Sequence, residues 1–113
     1  MRDDYPLYVH WVKTLDWLLD MSERIPKLAR FTLASRISNL ALDILEGVIE
    51  AIYRRDRGST LDGINLKLEK LRALIRICHQ RQYLSIRQYE YISQQIETAG
   101  SMIGGWRKQH ETK

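Results

Sequence analysis

Residue types able to do metal, acid–base or nucleophilic chemistry are sparse in this chain. The three histidines, His10, His79 and His110, fall in different segments without a Cys, Asp or Glu at metal-ligand spacing. None has a Glu three residues before it, so the Glu-x-x-His signature of di-iron bundles is absent. Glu46 and Glu50 stand one helical turn apart, a spacing that suits either a bound cation or an ordinary solvated face. Cys78 continues an apolar stripe and reads as a packed thiol rather than a nucleophile. No glycine-rich phosphate loop follows a strand, because no segment alternates as a strand would. These observations predict a protein without a catalytic site, metal or cofactor.

What the chain has in quantity is cations. Its net charge is +4, and residues 1–57 carry nine basic and nine acidic groups while residues 58–113 carry nine and five. The excess sits in the second half, which fits an anionic partner such as nucleic acid as well as it fits a plain basic surface. Lys67, Lys70, Arg72 and Arg76 fall mostly between or opposite the apolar positions of one segment, and Arg81 and Arg87 extend the series through a turn. Arg72 and Arg76 are one turn apart, placing two guanidinium forks where they can engage successive phosphates or a partner's carboxylates. The spacing puts both on the solvent side.

The elements that position these residues are four amphipathic helices. From Pro6, suited to a first helical turn, Tyr8, Trp11, Leu15 and Leu18 recur at three- and four-residue spacing, flanked by Val12 and Leu19, to about Ser22. Pro26 interrupts the pattern. A second segment from near Arg30 aligns Ala34, Ile37, Ala41, Ile44, Val48 and Ile52, widened by Leu33, Leu40 and Leu45. Residues 54–60 form the clearest loop, with Gly58 suited to a helix end and Ser59 or Thr60 to a cap. The third segment repeats Ile64, Leu68, Leu71, Ile75 and Cys78. After a turn around residues 80–84, Ser85 is the expected N-cap of a fourth helix bearing Tyr89, Ile92, Ile96, Ala99, Ile103 and Trp106. Gly100, Gly104 and Gly105 near its end are costly in a helix and favour contact with a neighbouring helix or subunit over a frayed end.

Short connections between four such helices predict an all-α, antiparallel up-down-up-down bundle, with residues 1–113 as one domain. Only two prolines and six glycines argue against a loop-rich or disordered chain. One cysteine leaves no internal disulfide, and the longest uncharged stretch, Thr98 to Trp106, is too short to span a membrane. The start, Met1-Arg2-Asp3-Asp4, has no apolar signal core, so the expected location is cytoplasmic.

Several runs, taken in order, resemble the accessory variability determinant (Avd) proteins of diversity-generating retroelements, within a wider family of four-helix bundles related to ribosomal-RNA intervening-sequence proteins. They are Ile25-Pro26-Lys27, Arg30-Phe31-Thr32, Arg36-Ile37 and Asn39-Leu40-Ala41-Leu42-Asp43-Ile44-Leu45-Glu46. Further along come Leu68-Glu69-Lys70-Leu71-Arg72, Leu74-Ile75-Arg76, Leu84-Ser85, Gln88-Tyr89-Glu90 and Ile103-Gly104-Gly105-Trp106. The resemblance implies a homopentameric barrel of four-helix protomers that associates with the retroelement reverse transcriptase and with RNA or DNA. Its role would be to support mutagenic reverse transcription, with the polymerase activity in the partner. Carried over, the resemblance makes Arg72 and Arg76 the first candidates for that contact. The other reading is an oligomeric bundle, structural or RNA-associated, without a reverse-transcriptase partner. A neighbouring reverse-transcriptase gene and template repeat separate the two.

Overall fold

In a computed structural model, which describes residues 2–111, the chain forms four long helices: α1 (Pro6–Glu23), α2 (Ser35–Tyr53), α3 (Gly58–Gln80) and α4 (Ile86–Glu111). The side chains of residues 110 and 111 lie outside the description, and with them the sequence expectation for His110. Among the described residues there is no strand. Each helix packs on the next and α1 closes onto α4, giving an antiparallel bundle of 47 × 22 × 22 Å. The expected four-helix bundle is the observed one. No helix among the described residues is long and apolar enough to cross a membrane.

The apolar repeats read from the sequence are the core. Trp11, Leu18, Ile37, Ile44, Val48, Leu68, Leu71, Ile75, Ile92 and Ile96 are fully buried, joined by Leu61 at the start of α3. Small residues set the spacing. Ala41 leaves room for the Trp11 indole, whose Nε1 donates to the Ala41 carbonyl at 2.9 Å and ties α1 to α2. On the other side of α1, His10 Nε2 lies 2.9 Å from the Gln95 carbonyl of α4. The α1–α4 seam is covered outside by Trp17 against Tyr91, with ring centroids 5.3 Å apart.

Gly47 marks a close approach of α2 and α3: a Cβ there would stand 2.8 Å from Ile64 Cγ1. Ile64 is buried and branched, so it has no open space into which to move. Gly47→Ala should therefore destabilise the protein by about 1–3 kcal/mol, although alanine is the better helix former by ~1 kcal/mol. Urea denaturation checks the sign.

Three local readings are corrected. The second segment is helical before Arg30, but as a 3-10 turn (Lys27–Ala29) and then a π-helical turn (Arg30–Ala34), with regular α-helix only from Ser35. Pro26 sets an extended residue before a tight start, and the wide turn restores the α2 face toward the core. Gly58 opens α3 rather than ending α2, and neither Ser59 nor Thr60 caps it: the N-cap position is Arg57, without a side-chain cap. The glycine is used for packing instead, since a Cβ there would sit 3.2 Å from the Arg107 guanidinium carbon. Third, of the neighbouring helix or subunit expected against Gly104 and Gly105, no helix of this protomer comes within 4 Å.

Ser85 caps α4 as expected. Its Oγ accepts from the Gln88 N–H at 3.1 Å, and Gln88 Oε1 accepts from the Ser85 N–H at 2.9 Å, a reciprocal capping box. Just before it, α3 ends with Gln82 in the left-handed region at φ 64°, the Tyr83 N–H donating to the Cys78 carbonyl and the Gln82 N–H to that of His79. This is the Schellman closure, with glutamine where glycine is the usual occupant.

Candidate nucleic-acid interface

The core stripe of α3, running Leu61, Ile64, Leu68, Leu71, Ile75 and Cys78, leaves two flanks, one beside α2 and one beside α4. Three of the six cations singled out by sequence divide between these flanks. Arg72 and Arg76 lie on the α4 flank, in an open groove of about 600 Å³ whose other lining residues include Tyr89, Ser93 and Gln80. Lys70 lies in a different groove, between α2 and α3, with Arg36, Asn39 and Asp43. Lys67 is half-buried. Arg81 and Arg87 are exposed at the turn that joins α3 to α4. One continuous basic face on α3 is therefore replaced by a pair, a second groove and a turn.

Arg72 is also less solvated than helical spacing suggests. Its side chain is 40% exposed, and its guanidinium reaches across to α4, with Nη2 3.4 Å from where a Cβ on Gly100 would stand. A Cβ on Gly100 would meet that guanidinium at an ordinary van der Waals distance, so packing inside the protomer does not require this glycine either. Arg72 Nε is 3.4 Å from Glu69 Oε1, an ion-pair distance, yet that buried nitrogen makes no hydrogen bond. The contact between the charges is electrostatic only. Arg76, one turn on, is exposed.

Sequence reasoning missed Tyr89 and Ser93 as walls of the groove and Arg36 as the neighbour of Lys70. Helical spacing assigns Tyr89 to the core, but it is half-buried and stacks on His79 at 4.4 Å with the planes 3° apart. Its position at the edge of the α4 stripe is the only signal that it borders a surface. Which α2 residue faces Lys70 has no signal in α3 at all.

Arg81 donates from Nε to the Tyr83 hydroxyl at 3.3 Å and lies over the same ring. That hydrogen bond pushes its pKa up, so it stays cationic. Burial likewise raises the Cys78 thiol, which keeps it protonated and poorly nucleophilic near neutrality, as a packed side chain should be. Glu46 is exposed, and Glu50 is paired with Arg54 one turn on. Among the described residues no three His, Cys, Asp or Glu side chains gather as a metal site would. The arrangement at α3 and α4 is suited to holding anionic oxygen atoms.

A family model described as bAvd-like matches residues 10–110, which takes in all of α2 and α3, nearly all of α4 and most of α1. The chain belongs to the bAvd-like family. Both grooves fall inside the matched span, as do both turns at the far end of the bundle. No curated protein matches the chain. The resemblance to Avd proteins read from the scattered runs is thereby upheld at the level of the family.

Proposed function

We propose that this bAvd-like protein is a non-catalytic accessory factor of a diversity-generating retroelement. It binds the reverse transcriptase and the template RNA or DNA and supports mutagenic reverse transcription carried out by that partner. The observation that carries the reading is the pairing of the family with the Arg72–Arg76 groove. Two guanidinium groups about 6 Å apart along a helix axis match neighbouring anionic groups better than they match each other. The Arg72 Nε makes an ion-pair contact with Glu69 but no hydrogen bond, so its N–H remains a donor for a phosphate or carboxylate oxygen. The protein acts as a homo-oligomer, a pentamer as in the Avd resemblance. Apolar side chains left on the outside support assembly: Val9 and Val12 on α1, Leu66 and Ile77 on α3. The tryptophans contribute less than their number suggests, since Trp11 is buried within the protomer.

The test is capture of a diversity-generating retroelement reverse transcriptase, together with titration of labelled RNA and light scattering. Phosphate-dominated binding should weaken steeply with salt and depend little on sequence, with log affinity falling against log salt by about 0.7–0.9 for each phosphate the protein neutralises. A salt-insensitive affinity, or a monomer at micromolar concentration, would count against the corresponding part of the proposal.

A further inference from the structure

Among the described residues, the two most exposed large apolar side chains lie three positions apart between α1 and α2: Leu28 is 99% exposed and Phe31 85%. Phe31 is the only phenylalanine in the chain. The turn is held firmly from beneath. Ile25, Ala29 and Ala34 are buried under it, the Ser35 hydroxyl donates to the Arg30 carbonyl at 2.7 Å, and Thr32 Oγ1 donates to the Ala29 carbonyl at 3.3 Å. A fixed backbone that presents an aromatic ring to water leaves its apolar surface uncovered within the protomer, and the surrounding charge says what would cover it. Lys27 and Arg30 stand beside the two side chains, with Arg24 next to them but ion-paired to Asp20, and the acid on the same surface is Glu23. The antiparallel topology brings the α3–α4 turn to the same end of the bundle, with Arg81 and Arg87 exposed there.

We propose that this end of the bundle is a binding site for single-stranded nucleic acid, in which an unpaired base stacks on Phe31 beside Leu28 while the cations of the two turns hold the flanking phosphates. One ring on a rigid turn, with cations spread to either side, matches the alternation of base and phosphate along a strand. A bilayer surface calls for a broader apolar face than two side chains. This site is distinct from the Arg72–Arg76 groove. It shares with the proposed function the premise of a nucleic-acid ligand, but not that of a reverse-transcriptase partner.

The experiment is a fluorescence-anisotropy titration of the full chain with a labelled oligothymidine strand, the same strand made abasic, and a blunt duplex. Phe31→Ala, Phe31→Trp and Phe31→Leu are compared with the parent, and all should keep the helical signal because the position is solvent-facing. The parent should bind the strand more tightly than its abasic counterpart. Phe31→Ala should lose roughly five- to hundredfold on the strand and little on the abasic one, Phe31→Trp should retain binding, and Phe31→Leu should recover only part. Equal binding of strand and abasic strand by the parent overturns the proposal while leaving phosphate binding intact. Absence of binding to any nucleic acid overturns both this site and the broader reading. Phosphatidylserine vesicles complete the set: if Phe31→Ala loses vesicle binding but binds the strand like the parent, the turn serves a lipid surface and the proposal fails.

Discussion

Replacing Arg72 and Arg76 together with alanine should leave the bundle folded while weakening its hold on nucleic acid or on the reverse transcriptase about a hundredfold or more. The estimate follows from two charge-assisted contacts of roughly 1.5–3 kcal/mol each. The stability side needs more care than helical spacing alone would suggest. Arg76 is exposed and should change stability by under about 0.5 kcal/mol. Arg72 lies partly over Gly100, so alanine removes some packing of its stem, but it also removes a buried Nε that makes no hydrogen bond. These terms oppose each other, and alanine favours the helix. A double lysine variant separates charge from geometry: it keeps both cations but not the planar forks, and should recover only part of the affinity. Capture of the partner and RNA titration provide the readout, with circular dichroism as the control. Parent-like binding by the folded alanine variant would remove the groove from the interface.

The largest effect on stability is expected at Trp11. It is fully buried on α1, and its indole N–H is hydrogen-bonded to the Ala41 carbonyl of α2. Trp11→Ala should cost about 3–5 kcal/mol, a large share of the ~5–15 kcal/mol that holds a typical domain together. Trp11→Phe keeps most of the apolar volume and loses the hydrogen bond, so it should cost distinctly less. Equilibrium urea denaturation of the two variants and the parent should rank them in that order. A midpoint for Trp11→Ala within error of the parent would mean that α1 does not contribute its packing to the cooperative unit.

The number of helices, their inward faces and the cap at Ser85 were legible in the sequence, because burial and capping are set by residues three or four positions apart on one helix. Leu68, Leu71, Ile75 and Cys78 face the core for that reason, and the same local rule placed Gln88 where it completes the cap with Ser85. What faces a helix from outside it obeys no such rule. Lys70 and Arg72 are two residues apart in the chain, yet they lie in different grooves because α2 passes on one side of α3 and α4 on the other. The half-burial of Arg72 depends on α4 passing beside that flank of α3, with Gly100, twenty-eight positions away, next to the guanidinium. The role of Gly58 depends on Arg107 returning beside it, and the outward aim of Phe31 on a π-helical turn that no local propensity announces. Residue type and spacing by themselves determined an all-α bundle with cations to spare. Only the packing of helix against helix decided which of those cations work together, since distance across a seam is a property of the partner as much as of the residue.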